Sequence, residues 1–264
     1  VRMHGAIDAS AGTSYQRAVL FGAAGSDLAV LSSNSASDAI VIHGDASGAT
    51  SGICAGVQSF DYQNLLIANE GSGGIQIIGD GCASNSNDSN TYTDGIALSD
   101  ASVLARSGTI RIEGTTRNTA SDAWGLYLNR RNGSGDNGVY LGSADRSYTL
   151  STGKTVRIST SSSNIDMLVN SFNANQIPVS TSGQVALKSR VGYRFSASPV
   201  LTNMALSNAV TGFEIGHPGV GSNQNLSNIT LDRSYSISGP ISVYGHDIYV
   251  NTDQTVMTGS GRIT

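Results

Sequence analysis

Ile40-Val41-Ile42-His43-Gly44 returns as Ile75-Gln76-Ile77-Ile78-Gly79 and again as Ile110-Arg111-Ile112-Glu113-Gly114, each copy 35 residues after the last. An earlier form, Val1-Arg2-Met3-His4-Gly5, stands 39 residues before the first of these, and a Gly-less form, Val156-Arg157-Ile158, stands 46 after the last. In every copy the outer aliphatic residues share one parity, and the residue between them, Val41, Gln76 or Arg111, has the other. Successive side chains on a strand point to opposite faces, so each copy is a short strand with one aliphatic face. Short strands at a fixed long period are the signature of stacked repeats, because each unit can bury its apolar face only against its neighbours. Stacked in parallel about 4.8 Å apart, the inward residues form a continuous aliphatic ladder. The repeat Gly is read as the end of the strand, where positive φ or close backbone packing is needed.

A second column lies between these strands. Gly52-Ile53-Cys54-Ala55, Gly95-Ile96-Ala97-Leu98, Gly125-Leu126-Tyr127-Leu128 and Gly138-Val139-Tyr140-Leu141 share the form Gly-apolar-x-small or Leu. Asn64 to Ala68 and Ser102 to Ala105 supply a third strand per period. Three short strands and three turns make one coil of a parallel β-helix, whereas a βαβ solenoid needs about 10 residues of helical apolar period in each repeat, which are missing. The expected fold is therefore an all-β, right-handed parallel β-helix in one elongated domain over 1-264. Coils of about 35-46 residues fill 1-163, and tighter, less regular coils fill 164-264, where Val185, Phe213 and Ile241 follow at steps of 28. Polar stretches of variable length, such as Asp80 to Thr93, read as loops projecting from the solenoid.

Composition agrees with many tight turns. The chain has 264 residues, 39% hydrophobic and 13% charged, with 32 Gly and 4 Pro, so it can bury a core while carrying about half the usual charge. Its formal net charge of -4 is spread without a basic cluster, which argues against a nucleic-acid partner. No apolar run reaches the roughly 18 to 20 residues of a membrane helix. Scarce Cys with abundant Ser, Thr, Asn and Gly suits a secreted bacterial surface protein. Because Val1 opens inside a repeat, the chain reads as a piece of a longer polypeptide.

Two stretches resemble filamentous-haemagglutinin-like adhesins of the two-partner secretion pathway. One comprises Asn137-Gly138-Val139-Tyr140-Leu141-Gly142 and Gly108-Thr109-Ile110-Arg111-Ile112-Glu113-Gly114; the other runs from Gly212-Phe213-Glu214-Ile215-Gly216 to Asp247-Ile248-Tyr249-Val250-Asn251. The resemblance implies a β-helical stalk of a large exoprotein, exported through an outer-membrane partner transporter, located at the bacterial cell surface and engaged with a cell-surface protein or glycan receptor. It carries over no catalytic residue and no cofactor. The alternative reading is a polysaccharide-binding or polysaccharide-cleaving β-helix of tailspike or pectinase type.

Individual residues add candidates. Asp45 and Asp80 follow the repeat Gly in adjacent copies, so they should stack, as paired carboxylates do where acid and base work is shared. Asp is also a common turn residue, the next copy has Thr115, and no basic or histidine partner is foreseen for the pair. His4 and His43 are equivalent too, but two imidazoles fall short of a metal's ligand set. Cys54 and Cys82 lie in different registers and are expected to stay unbonded. Trp124, Tyr127 and Tyr140 are the candidate binding residues: an outward Tyr127 and Tyr140 pair would offer sugar rings a stacking surface, or simply pack across strands. Asn87, Asn132, Asn225 and Asn228 head Asn-x-Ser/Thr triplets. Solenoid ends expose strand edges, so end-to-end self-association is expected.

Overall fold

The computed structural model describes residues 1-7, 16-22, 28-50, 52, 54-59, 64-83, 93-118, 123-129, 139-175, 177-190, 195-196, 199, 204-218, 227-251 and 256-258. Among them every regular element is a strand, and the chain coils as a parallel β-helix. The first sheet, A, has eight strands: Arg2–Ala6, Ile40–Asp45, Ile75–Asp80, Thr109–Thr115, Asn164–Val169, Gln184–Lys188, Gly212–Ile215 and Ile241–Val243. Sheet B stacks Gln16–Phe21, Cys54–Ser59, Ile96–Ser99, Leu126–Asn129 and Phe172–Asn175. Sheet C stacks Leu28–Ser32, Leu65–Asn69, Ala101–Ala105, Tyr140–Gly142, Ile177–Ser180 and Met204–Leu206. Chain order therefore runs A, B, C in each of the first five turns, and Ile229–Leu231 with Ile248–Val250, then Tyr235–Ile237 with Val256–Thr258, add two further parallel pairs.

Register is set by the aliphatic column. Ile40, Ile75 and Ile110 are paired in line, and Val185, Phe213 and Ile241 continue the same line, as the steps of 28 require. Ile40, Ile42, Ile77, Ile110 and Ile112 have no exposed surface, and one apolar cluster reaches from Phe21 to Val243. Burying each such side chain contributes about 1.5–3 kcal/mol, and the column places two in nearly every coil.

Val156 does not continue this column. Ile110 pairs with Ile165, a step of 55, and the intervening chain forms a hairpin in which Tyr148–Thr149 pairs antiparallel with Thr155–Val156. This hairpin accounts for the extra length of the step, and its work is visible. Tyr148, Val156 and Ile158 pack on Leu66, Ala68 and Leu104 of sheet C, giving that sheet a second apolar layer outside the coil. The V-x-I pattern was thus apolar for a different face.

The repeat glycines lie inside the strands rather than ending them. Gly44, Gly79 and Gly114 share one register, and none has a positive φ. They face Gly56, Gly95 and Gly125 of sheet B across the corner. A Cβ on Gly95 would sit 2.5 Å from the Thr115 nitrogen and 2.6 Å from the Gly125 oxygen. Close backbone approach, not turn geometry, is what demands glycine here. The same seam corrects the second column: Val57 pairs with Ile96, so Gly56, not Gly52, is the counterpart of Gly95. Tyr140-Leu141, which the sequence placed in that column, belongs instead to sheet C, where Leu141 pairs with Val103.

Candidate functional site on the outward face of sheet A

Alternation in sheet A sends a row of side chains outward: Arg2, Val41, Gln76, Arg111, Asp166, Ala186, Glu214 and Ser242. Two positions along each strand lies a second row with His4, His43, Ile78, Glu113, Leu168 and Lys188. A third row holds Asp45, Asp80 and Thr115. Carboxylates therefore line one face of the coil, interleaved with cations.

Asp45 and Asp80 stack in register as expected. Asp80, however, has the basic and histidine partners that the sequence did not reveal. Arg190 Nη1 lies 2.6 Å from Asp80 Oδ1, His43 Nε2 lies 3.9 Å from Oδ2, and the Thr115 hydroxyl donates to the same carboxylate. Arg190 Nε also reaches Glu113 at 3.6 Å, and Glu113 accepts from Arg111 Nε at 2.6 Å and Gln76 Nε2 at 3.0 Å. Asp45 instead accepts from the Ser47 amide at 2.9 Å, and its Ser47 hydrogen bonds hold its carboxyl below the usual carboxylate range. Arg190 is 110 residues from Asp80, and only the short 20-residue step from Ile165 to Val185 brings it near.

Further along the same face, Asp166, Lys188 and Glu214 border a trough of about 410 Å³. Lys188 Nζ lies 2.8 Å from Glu214 Oε2. Asp166 is half-buried, and desolvation raises its pKa above the ordinary carboxylate range, with Lys188 and Arg111 opposing and Glu214 adding to the shift. No part of this trough was foreseen in the sequence. The signal was present, because Arg111, Asp166 and Glu214 occupy the x position between aliphatic pairs, but placing Asp166 beside Arg111 needs the 55-residue step.

The candidate aromatic residues are dispersed. Tyr127 lies on sheet B in register with Ala97 and Asn173, whereas Tyr140 lies on sheet C opposite Ser102. They are not neighbours on one sheet. Arg146 sits between Tyr140 and Tyr148, its guanidinium carbon 4.9 Å and 4.4 Å from the two ring centroids, and its Nε donates to the Tyr148 hydroxyl at 2.6 Å. That arrangement locks the hairpin onto sheet C. Trp124 is half-buried, and its amide donates to Asp94 Oδ1 at 2.7 Å.

His4 and His43 are neighbours with ring centroids 4.8 Å apart and ring planes tilted by 56°, and among the described residues no group of three or more His, Cys, Asp or Glu is placed to hold a metal. Asn228 is half-buried ahead of Ile229–Leu231, while Asn87, Asn132 and Asn225 fall outside the described residues.

Cys54 and Cys82 form a disulfide, with Cα atoms 5.8 Å apart, contrary to the expectation of free thiols. Cys82 follows the strand Ile75–Asp80 at the corner, and there it meets the start of Cys54–Ser59 from the preceding coil in a small buried cluster with Ala46 and Ala49. Comparing strand positions alone hid this corner contact. No family model, curated protein or solved structure matches the chain.

Proposed function

We propose that the chain is a rod segment of a large secreted bacterial surface adhesin, resembling the filamentous-haemagglutinin-like exoproteins, whose work is to project a tip or to mediate attachment. The observation that carries this reading is the unbroken ladder of sheet A, eight parallel strands on one apolar column. Such a ladder extends by simple addition of coils, which is what a spacer requires. The Cys54–Cys82 disulfide supports an extracellular location, since oxidising compartments preserve such bonds. Export through an outer-membrane partner transporter and engagement of a cell-surface receptor belong to this reading, as properties of the parent protein.

An in-frame deletion of residues 213–240, one coil of 28 residues from Phe213 to Ile241, tests it. A spacer tolerates the loss: the parent protein still reaches the cell surface and adherence of the cells is retained. If surface display persists and adherence collapses, the segment is itself the binding element and the spacer role is wrong.

A second reading, a β-helix that binds polysaccharide, is favoured by one observation: the outward carboxylates of sheet A are gathered on a single face. Ion pairing to Arg190 and Lys188 gives Asp80 and Glu214 structural employment on that face. Neither reading assigns catalysis, and polysaccharide depolymerisation that vanishes in Asp80→Asn would overturn both in favour of an enzyme.

A further inference from the structure

Asp166 lines two concavities at once: the trough shared with Lys188 and Glu214, and a second one toward Arg111 and Gln76. Sharing that one residue, they lie end to end as a groove across the strands, from Ser242 to Gln76 along the outward row. That path spans six strands, five spacings of about 4.8 Å, or roughly 24 Å along the coil axis. Its floor is low because Ala186 separates Asp166 from Glu214 in the row.

The chemistry of the groove restricts its ligand. Three carboxylates, Asp38, Asp166 and Glu214, line it with two cations, Lys188 and Arg111, and Asp38 is ion-paired to Arg2 at its edge, so the charges balance and neither a polyanion nor a polycation is preferred. The trough wall is mostly polar, which does not suit a lipid or an amphipathic helix. A ligand must instead be long, uncharged and rich in hydrogen-bond donors that the Asp166 carboxylate can accept.

We propose that this groove binds a neutral polysaccharide lying along the coil axis, with the Asp166 carboxylate as its principal hydrogen-bond acceptor and Ala186 as its floor. This deepens the polysaccharide-binding reading and rests on it, while remaining independent of the spacer role.

The test is affinity gel electrophoresis of the intact chain through gels holding dextran, a β-glucan or a mannan, beside gels holding heparin or polygalacturonate. At least one neutral polysaccharide is expected to retard the protein. Asp166→Ala should weaken that retardation about tenfold, the loss of one hydrogen bond to a charged acceptor. Ala186→Trp, which fills the floor without touching the column, should abolish it. Asp45→Ala, on the same face but outside the groove, should leave it unchanged, and circular dichroism of each variant verifies the fold. Retardation that survives both Asp166→Ala and Ala186→Trp overturns this site while leaving the polysaccharide reading standing. Retardation by no neutral polysaccharide, or by the polyanions alone, overturns both.

Discussion

Gly95→Ala should destabilise the coil sharply although it adds a single methyl group. The new Cβ would lie 2.5 Å from the Thr115 nitrogen, 2.6 Å from the Thr115 oxygen and 2.6 Å from the Gly125 oxygen. All three obstacles are backbone, so no side chain can swing aside, and the sheets must part by roughly 1 Å to restore ordinary contact. That movement also strains the bonds from Val57 N to the Gly95 oxygen at 3.0 Å and from Gly95 N to the Trp124 oxygen at 2.9 Å. Overpacking costs typically 1–3 kcal/mol, and confinement by backbone on several sides puts this site at the upper end, about 3 kcal/mol. Gly212→Ala is the matched control. Its Cβ would meet only the flexible Gln184 side chain, at 3.4 Å, so reduced freedom of the unfolded chain should leave it neutral or stabilising by about 0.5 kcal/mol. Urea unfolding followed by circular dichroism, with unchanged slope, reads the difference directly. Variants within about 1 kcal/mol of one another would refute the glycine seam as the reason for the repeat Gly.

Further outcomes follow from the same contacts. Removing the disulfide by Cys54→Ala with Cys82→Ala should cost about 3–4 kcal/mol, because it closes a separation of 28 residues, and a melt of the wild type with reductant should show the same loss. Ile112→Ala, in the fully buried column, should cost about 2–5 kcal/mol by denaturant titration, whereas Arg111→Ala beside it should stay within about 1 kcal/mol. Asp166 and Asp45 should respond to pH in opposite senses. Because the folded pKa of Asp166 is raised, its contribution is fully present below the unfolded value of 3.8 and is lost as pH rises through the folded value, so Asp166→Asn should be the more stable protein at pH 7 and lose that advantage by pH 3. Because the folded pKa of Asp45 is lowered, Asp45→Asn should be the less stable protein at pH 7, a deficit that fades as pH falls below 3.8.

The parts of the fold legible in the sequence are those where burial leaves one choice. Ile40, Ile75 and Ile110 must face inward together or the ladder loses its core, and Phe213 and Ile241 obey the same demand at their shorter step. Legibility fails where one pattern serves two purposes. Val156 and Ile158 are apolar because they cover Leu66 and Leu104 from outside, so an alternation alone could not tell a coil strand from a covering hairpin. Corners were equally opaque. The Cys54–Cys82 bond and the Gly56–Gly95 match depend on where the chain leaves one sheet for the next, which no strand period records. Of the candidate site, the Asp45–Asp80 stack was visible because both residues share a repeat position, but Arg190 and Asp166 join it through coils of 55 and 20 residues.

The central claim is that sheet distance counts coils, not residues. Spin labels on the outward row at Arg2 with Ala186, Arg2 with Glu214, and Arg2 with Ser242 span five, six and seven strand steps. Double electron–electron resonance should then give backbone separations of about 24, 29 and 34 Å, rising by one strand spacing at each 28-residue step. Separations that fail to rise together in equal increments, or that shorten from the first pair to the last, would contradict the stacked-coil architecture itself.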